Sequence, residues 1–296
     1  MAFKKLVWIL ILIYSQATNA LQIGDKAPNF IAQSTKGEIN FHEWSKGKWT
    51  ILFSHPGDFT PVCTTELAEL AFLQPEFKSR QTKIITLSAD DLTDHLEWVV
   101  HIDEYKNLIR KSTKDNVIIG LERPDLDYPI ISDKNLKIAT TYGMFHPKAE
   151  PREGVFGDAN KSTIRSVFII DQDKTIQTIL SYPKHIGRNF NEILRIIDAL
   201  QLAQKYNVTI PGNWQKGKQV IVPTHIPSED IKEKYNVDFF TNHQDYLRTI
   251  DDPTKNIKKI SKNSNKESWV NFDFLPEFKF KNKKAESKRL RKQIDK

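Results

Sequence analysis

The one cysteine of this 296-residue chain, Cys63, lies in the stretch HPGDFTPVCTTEL, residues 55–67. A compact apolar run at residues 50–54 ends just before this stretch and predicts a strand. Apolar residues then recur with helical spacing over residues 64–78. Cys63 is therefore placed where a loop becomes a helix. There, unpaired backbone N–H groups and the positive end of the helix dipole both favour a thiolate, which makes Cys63 a candidate nucleophile.

The neighbours of Cys63 in the loop support this chemistry. The Thr60 hydroxyl, three residues earlier, could exchange hydrogen bonds with a species that approaches the sulfur. Pro56 and Pro61 would stiffen the loop and keep solvent partly away. The residues alone leave a second interpretation open, because a lone cysteine is more often a small buried apolar side chain than a nucleophile.

The loop resembles a known active-site signature. Pro56, Thr60 and Cys63 match the peroxiredoxin pattern P-x-x-x-(T/S)-x-x-C, and the longer HPGDFTPVCTTEL resembles the one-cysteine, peroxiredoxin-6-type subfamily. The resemblance extends over residues 21–252. It implies a thioredoxin-like fold and a thiol-specific peroxidase that reduces hydrogen peroxide and organic hydroperoxides, in antioxidant defence and redox homeostasis.

The same resemblance implies roles for residues outside the loop. TIRSVFIID is similar to the strand that carries the family's catalytic arginine, here Arg165, and YPKHIGRNF is similar to the segment with a second active-site arginine, here Arg188. Arg165 is implied to stabilise the Cys63 thiolate and to orient the peroxide. Thr60 and loop N–H groups are implied to hold the two peroxide oxygens in line with the sulfur. Attack then leaves a sulfenic acid on Cys63.

Two further residues of the loop and helix have roles implied by the subfamily pattern. Glu66 is implied to hydrogen-bond the arginines, and His55 to lie close to the sulfur. For His55 a purely structural histidine is at least as good an interpretation. Neither a cofactor nor a metal is expected.

The lack of a second cysteine has a mechanistic consequence. Two-cysteine relatives resolve the sulfenic acid with another thiol of the protein, so here an external reductant must act: glutathione, another small thiol, a thioredoxin-like protein or ascorbate. A slowly resolved sulfenic acid is open to further oxidation, so we expect activity to fall at high peroxide. Two alternatives use the same fold: a peroxide sensor that passes oxidation to a partner thiol, and a chaperone or surface-binding protein.

Some members of the subfamily are associated with a phospholipase A2 activity, attributed to a serine in G-D-S-W-G with a histidine and an aspartate. His42 matches that histidine and Asp173 that aspartate, but Lys48 stands in place of the serine, and Ser45 is out of register. A lysine cannot form the acyl-serine intermediate of this mechanism. The sequence therefore argues against the activity.

The order of the predicted elements indicates the fold class. Strands and helices alternate and close with a hairpin and a helix, which favours an α/β sandwich with a central mixed sheet flanked by helices. A change of texture near residue 210, to a Pro- and Gly-containing stretch, predicts a small C-terminal module with a strand at 219–222. Its sequence PGNWQKGKQVIVPTHIP is similar to the subfamily's C-terminal arm, and this resemblance implies a dimerisation module. The remaining predicted strands cover residues 38–41, 83–90, 128–133, 164–171 and 175–181, and the remaining helices cover residues 93–109, 136–142 and 189–206.

The N-terminus has the layout of a secretory signal peptide. Two lysines precede a short apolar run, and small residues follow up to Ala20. We expect cleavage before Leu21 and a protein that is secreted or held in the endoplasmic reticulum lumen. An uncleaved anchor is the alternative, and the protein would be cytoplasmic if the signal is not used. The sequons at Asn160 and Asn207 are possible N-glycosylation sites.

The uneven distribution of charged residues marks off a basic C-terminal segment. The net charge is +7, yet residues 254–296 alone carry fourteen Lys/Arg and five Asp/Glu. We predict a signal peptide at 1–20, a thioredoxin-like peroxiredoxin domain at 21–208, a C-terminal peroxiredoxin module at 209–252 and a basic, disordered tail at 253–296. The module is expected to pack in a homodimer. The tail either stays solvated or binds an anionic surface or polysaccharide, and no nucleic-acid partner is expected.

Overall fold

The computed structural model describes residues 20–112, 126–145 and 162–255. The predicted signal peptide up to residue 19, the sequon at Asn160 and residues 256–296 of the predicted tail lie outside the described residues. Pro253–Lys255, the first tail residues, form a turn in which Asp252 Oδ1 accepts from Thr254 N at 2.9 Å. Within the described residues, no helix combines the length and the apolar character that a bilayer crossing requires.

A seven-stranded mixed sheet forms the centre of the molecule, with the strand order β2-β1-β5-β4-β3-β6-β7. The strands β3, β4 and β5 run parallel to one another, and the strand pairs β1–β2, β1–β5, β3–β6 and β6–β7 are antiparallel. Every residue of β3 and β6 is buried, as expected for central strands covered on both faces. The strand bounds are β1 Ile31–Ser34, β2 Gly37–Asn40, β3 Trp49–Ser54, β4 Thr82–Ser88, β5 Ile130–Ser132, β6 Arg165–Ile170 and β7 Ile176–Tyr182.

Helices cover both faces of this sheet. One apolar cluster joins side chains such as Ile51 and Phe53 of β3 to the helices α2, α3 and α5, and a second joins Leu52 and Phe168 to α1 and α4. The alternation along β3 follows from the period of two in a strand. The helix bounds are α1 Phe41–Trp44, α2 Pro61–Ser79, α3 Leu92–Ser112, α4 Lys137–Thr141 and α5 Phe190–Tyr206.

The residues after α5 form a small module with its own core. An antiparallel sheet in the order β8-β10-β9 packs with a short helix around Trp214, Val220 and Ile231. Leu202 of α5 belongs to the same cluster, so the helix contributes to both cores. The elements are β8 Val220–Val222, a 3-10 turn Ser228–Asp230, α6 Ile231–Tyr235, β9 Thr241–Gln244 and β10 Leu247–Ile250.

The structure confirms the predicted fold class, a thioredoxin-like mixed sheet flanked by helices with a small C-terminal module. The sequence missed β1 and the β9–β10 hairpin, because β1 is largely exposed and all four residues of β9 are exposed and polar. Helix α2 begins at Pro61, three residues before the predicted start at Thr64. Proline fits the first helical turn, where its missing N–H would have no intrahelical partner.

Candidate active site

The loop after β3 delivers Cys63 to the first turn of α2. Thr60 is the N-cap with extended backbone angles, and Pro61 opens the helix. The first intrahelical hydrogen bond runs from Thr64 N to the Thr60 carbonyl at 3.0 Å. The N–H groups of Val62 and Cys63 precede that bond, so they belong to the unsatisfied donors of a helix N-terminus. The sulfur thus lies at the positive end of the helix dipole.

The loop is bent by a residue in a strained conformation. Phe59 has φ 53°, in the left-handed region that bulky residues rarely occupy. Its half-exposed ring packs against Trp98 and, edge to face, against His101 at 5.4 Å. Thr60 Oγ1 donates to the Gly57 carbonyl at 2.9 Å, which leaves the lone pairs of this oxygen available as acceptors. Pro56 is half-buried in the same loop.

Arg165, the first residue of β6, faces the sulfur. Its Nη1 donates to Cys63 Sγ at 3.2 Å, and Cys63 is fully buried. Nε and Nη2 of the same guanidinium donate to the Lys184 carbonyl at 3.0 and 2.6 Å. Because three of its N–H groups are fixed in this way, the guanidinium has one orientation, and its charge stabilises negative charge on sulfur.

Glu66, one helical turn after Cys63, connects the two arginines. Its Oε2 accepts from Arg165 Nη1 and from Arg188 Nη2, each at 2.7 Å. Its Oε1 accepts from the Arg188 backbone N at 2.7 Å and from Arg188 Nε at 3.0 Å. Arg188 also donates to the carbonyl of Ser54 at the end of β3, at 2.9 Å. One carboxylate therefore positions both guanidinium groups.

The charges of this cluster do not cancel without the sulfur. Two guanidinium groups and one carboxylate carry a net charge of +1, and all three side chains are at most 6% exposed. Burial by itself would raise the pKa of Glu66, but the charge and hydrogen bonds of Arg188, followed by the charge of Arg165, hold that pKa below its ordinary value. A thiolate on Cys63 would complete the charge balance.

A second buried network includes two residues of the loop, His55 and Asp58. His55 Nε2 donates to Asp58 Oδ1 at 3.0 Å, and His95 Nδ1 lies 2.5 Å from Asp58 Oδ2. His95 Nε2 donates to the Ile131 carbonyl at 3.0 Å. Burial would raise the pKa of Asp58, but the hydrogen bonds from His55 and His95 and the charge of His95 hold it below its ordinary value. Burial would lower the pKa of His95, but Asp58 holds it above its ordinary value.

The described residues contain one group with atoms close enough to share a cation. It consists of His55, Asp58 and Asp90. Three of their atoms are already engaged: Asp90 Oδ2 accepts from the Asp58 backbone N at 3.0 Å and from Ser88 Oγ at 2.6 Å, and Asp58 Oδ1 accepts from His55 Nε2. We therefore assign none of them as a metal ligand.

The residues aligned with the phospholipase site each bond to partners outside the aligned set. His42 Nε2 donates to the Ala27 carbonyl at 2.8 Å, and the buried Ser45 hydroxyl donates to the Phe41 carbonyl at 2.6 Å. Lys48 Nζ donates to Gln81 Oε1, and the Asp173 backbone carbonyl accepts from Lys26 Nζ. The contacts that these side chains make are structural, and none of them links the histidine to a nucleophile.

The structure thus brings most of the predicted site residues together. Cys63, Glu66, Arg165 and Arg188 form one hydrogen-bonded cluster, and Thr60 occupies the N-cap position of the helix that carries the cysteine. The hydrogen bond of His55 runs to Asp58. Sequence reasoning missed Asp58 and His95. The signal for Asp58 was present, because it lies within the quoted stretch three residues after His55, whereas His95 is 37 residues further along.

Comparison with known proteins identifies the family. Residues 23–179 match the AhpC/TSA family, and residues 199–236 match the C-terminal domain of 1-Cys peroxiredoxin. A 1-Cys peroxiredoxin of Dictyostelium discoideum is 39% identical over 242 residues, which cover 82% of this chain and 90% of the relative. The chain belongs to the 1-Cys peroxiredoxins. As a peroxiredoxin, it is a thiol peroxidase and therefore an oxidoreductase.

Other peroxiredoxins support this membership. Peroxiredoxin-6 of Sus scrofa is 41% identical over 237 residues, covering 79% of this chain and 98% of the relative. A solved structure of the yeast mitochondrial 1-Cys peroxiredoxin is 40% identical, with a TM-score of 0.67. The match covers 78% of this chain and 99% of the yeast chain. A cysteine-to-serine mutant of the Peroxiredoxin 6 of Arenicola marina has the same TM-score at 36% identity, with coverage of 79% and 99%.

Proposed function

We propose that Cys63 is the peroxidatic nucleophile of this peroxiredoxin and that Arg165 stabilises its thiolate. One observation carries this proposal: the Arg165 guanidinium lies 3.2 Å from the sulfur within a buried cluster of net charge +1. The helix N-terminus adds a second positive field at the same atom. Arg188 and Glu66 are positioning residues, because they act on the sulfur through Arg165.

The reaction oxidises the sulfur by two electrons. The Cys63 thiolate attacks the terminal peroxide oxygen, so an S–O bond forms while the O–O bond breaks. The leaving alkoxide or hydroxide takes up a proton, equivalent to the one lost by the thiol, and departs as alcohol or water. Cys63 becomes a sulfenic acid. The lone pairs of Thr60 Oγ1 accept the peroxide O–H, and the N–H groups of Val62 and Cys63 donate to the oxygens.

A stopped-flow experiment tests this function. Reduced protein is mixed with hydrogen peroxide or an organic hydroperoxide, and consumption is followed beside Cys63→Ser and Arg165→Met. We expect Cys63→Ser to lose the reaction and Arg165→Met to be slower by about 10²-fold or more, as for a lost electrostatic contribution at a reacting atom. Equal, slow consumption by the wild type and Cys63→Ser would refute the proposal.

We propose that an external thiol reduces the sulfenic acid, since Cys63 has no cysteine partner in the chain. The solved yeast relative is described as resolving its thiol through glutathione and thioredoxin systems. Turnover is to be compared with glutathione plus a glutaredoxin, with thioredoxin plus its reductase, and with ascorbate. Sustained turnover with one of the two thiol systems is expected. Without a reductant, excess peroxide should convert Cys63 to the inactive sulfinic acid, detected by mass spectrometry.

We propose a homodimer that involves the C-terminal module. The module matches a domain of 1-Cys peroxiredoxins, and its surface exposes Phe239 and Tyr246, which are 66% and 69% exposed in the single chain. Large exposed aromatic side chains are enriched at protein interfaces. Sedimentation equilibrium measures the state directly. A monomer at micromolar concentration would contradict the dimer.

We propose that residues 1–20 direct the chain into the secretory pathway and that the basic tail binds anionic surfaces or polysaccharides. The apolar run and the small residues near Ala20 support the first statement, and the fourteen basic residues after Thr254 support the second. Asn207 is exposed at the C-terminus of α5 and would then accept a glycan. N-terminal sequencing and glycosidase treatment of the protein from its native cells test the export. Heparin and anionic-vesicle binding with and without residues 254–296 test the tail.

A further inference from the structure

Three buried side chains near the active-site loop are joined in a row by hydrogen bonds. They are His55, Asp58 and His95, and we call them the histidine–aspartate chain. The side chains are 0%, 1% and 0% exposed, respectively. Each comes from a different element: His55 directly follows β3, Asp58 lies in the loop, and His95 lies near the start of α3. The peroxidase chemistry described above assigns no role to Asp58 or His95.

The hydrogen-bond partners determine where the protons lie. The Ile131 carbonyl can only accept, so His95 Nε2 carries a proton. With Asp58 as a carboxylate, its two oxygens accept from His95 Nδ1 and from His55 Nε2. His95 is then an imidazolium and His55 is neutral with its proton on Nε2. This assignment follows from the network, in the way that histidine tautomers are assigned when hydrogens are not observed.

One nitrogen of the histidine–aspartate chain has no partner. His55 Nδ1 is buried and makes no hydrogen bond. A protonated Nδ1 would be a buried donor without an acceptor, which is unfavourable, so the lone pair is the stable form. The His55 ring lies 5.3 Å from the ring of Trp98, whose Nε1 donates to Thr64, the neighbour of Cys63. The lone pair thus belongs to the same buried region as the nucleophile.

Several other charged groups surround the chain, and most of them are acidic. Asp90 holds the Asp58 backbone, and its charge helps to raise the pKa of His95. Burial, followed by the charges of Asp58, Asp90 and Asp91, raises the pKa of Asp94 on α3. His101 follows later on α3, and its ring packs against the ring of Phe59. The acidic surroundings favour the imidazolium form of His95 over a neutral ring.

We propose that His95 is a positioning residue of the peroxidase site: through Asp58 it fixes the tautomer and the orientation of His55, so that Nδ1 is a permanent hydrogen-bond acceptor beside the active-site loop. A hydroxyl-bearing species formed or bound there, a peroxide or the sulfenic acid, would satisfy this acceptor. The proposal rests on the peroxidase function of Cys63. Loss of the His95–Asp58 hydrogen bond would let the His55 ring rotate or change tautomer, and the acceptor would no longer be fixed.

Two amide variants separate the two hydrogen bonds of His95. In His95→Asn the amide nitrogen takes the place of Nδ1 and still donates to Asp58. In His95→Gln it takes the place of Nε2 and still donates to the Ile131 carbonyl. Both variants remove the positive charge equally. We expect the second-order rate constant with hydrogen peroxide to fall by about tenfold in His95→Gln, below the range of a full general acid–base contribution, and to be largely retained in His95→Asn.

The pH profile and imidazole spectra give readouts that a merely structural role would not change. The rate–pH profile of His95→Gln should change shape, because the hydrogen bond that fixes the His55 ring through Asp58 is lost, whereas His95→Asn and the control His101→Gln should keep the wild-type shape. In the wild type, ¹⁵N–¹H imidazole correlation spectra should show an unprotonated Nδ1 on His55 and two protonated nitrogens on His95. These spectra need no variant to fold.

Two outcomes would overturn the proposal. One is a wild-type spectrum with a proton on His55 Nδ1 or with a neutral His95. The other is a pH profile and rate that are identical in His95→Gln and His95→Asn. Neither outcome would refute the proposed peroxidase function of Cys63. That proposal is refuted only if Cys63→Ser consumes peroxide as the wild type does.

Discussion

The positive charge beside the Cys63 sulfur depends on the hydrogen bonds that fix the Arg165 guanidinium. A buried sulfur next to one guanidinium could also be a structural contact, but here the guanidinium is itself fixed by Lys184 and Glu66. Glu66 in turn is held by Arg188, which is anchored to Ser54 at the end of β3. Buried charges are tolerated only when paired and hydrogen-bonded. The arrangement therefore keeps a positive charge at the sulfur without a mobile counterion.

The first prediction concerns Glu66, which holds this arrangement together. Glu66→Gln keeps the shape but leaves two buried guanidinium groups without a carboxylate. We expect the free energy of unfolding to fall by about 3–5 kcal/mol, as when one partner of a buried ion pair is removed. The peroxide rate constant should fall by about 10- to 100-fold, because Arg165 loses its orientation. Urea unfolding and stopped-flow kinetics measure the two effects.

A surface ion pair on the same helix serves as the control. Glu76 pairs with Arg80 at 2.8 Å, and its side chain is 54% exposed. Glu76→Gln should change the free energy of unfolding by less than about 1 kcal/mol and leave the rate constant unchanged. If Glu66→Gln were as mild as Glu76→Gln in both measurements, the bridging role of Glu66 would be wrong.

At the scale of elements, the helices and strands that could be predicted are those with a clear apolar pattern in the sequence. The prediction included the buried strands β3, β4 and β6 and the helices α2 and α5. Each of them has a local run or period of apolar residues that indicates burial. The strands β1 and β9 were missed because neither has such a pattern: two of the four residues of β1 and all four residues of β9 are exposed. The approach of Arg165 to Cys63 spans 102 residues. Only the resemblance to a family suggested it, and nothing local indicated His95.

The second prediction concerns the packing of α2 against α3. Burial raises the pKa of Glu69 on α2 to about 7, and the charge of Glu69 helps to raise the pKa of Tyr105 on α3. An acid whose pKa is higher in the folded state than its unfolded value of about 4.3 makes stability fall as pH rises between the two values. We therefore expect Glu69→Gln to be more stable than the wild type by about 1–2 kcal/mol at about pH 8, with a smaller difference at about pH 5.

Urea unfolding at the two pH values measures this effect. In Glu76→Gln, on the same helix and exposed, the difference from the wild type should not change between them. If Glu69→Gln gained no stability at the higher pH, the ionised Glu69 carboxylate would not be the source of the loss. Such a result would also remove the reason to treat the α2–α3 interface as sensitive to pH.

At the scale of the whole molecule, the two sheets are connected through α5. Its residues Ile193 and Ile197 face the core of the seven-stranded sheet, while Leu202 packs with Trp214 in the C-terminal module. A further buried arginine, Arg248, holds the module by donating to the carbonyls of Ile226 and Pro223 at 2.7 and 2.9 Å. A single helix thus couples the stability of the catalytic unit to that of the module.

The third prediction combines the buried titratable groups into a stability curve. Asp58 and Glu66 have lowered pKa values in the folded state, so their contribution is present above the unfolded values of about 4 and is lost as the pH falls further. His95 has a raised pKa, so its contribution is full below about 6.5 and is lost as the pH rises through the folded value. We expect the thermal midpoint to pass through a maximum between these limits.

The alkaline limb of that curve can be assigned to His95 by one comparison. Glu69 also lowers stability as the pH rises, so both proteins should carry Glu69→Gln. In that background, the protein with His95 should lose stability as its imidazolium deprotonates, whereas His95→Gln, which has no such proton to lose, should lose less stability over the same pH range. Calorimetry over a pH series provides the midpoints. Parallel curves would mean that His95 is neutral in the folded protein, and the ion pair with Asp58 would then not exist.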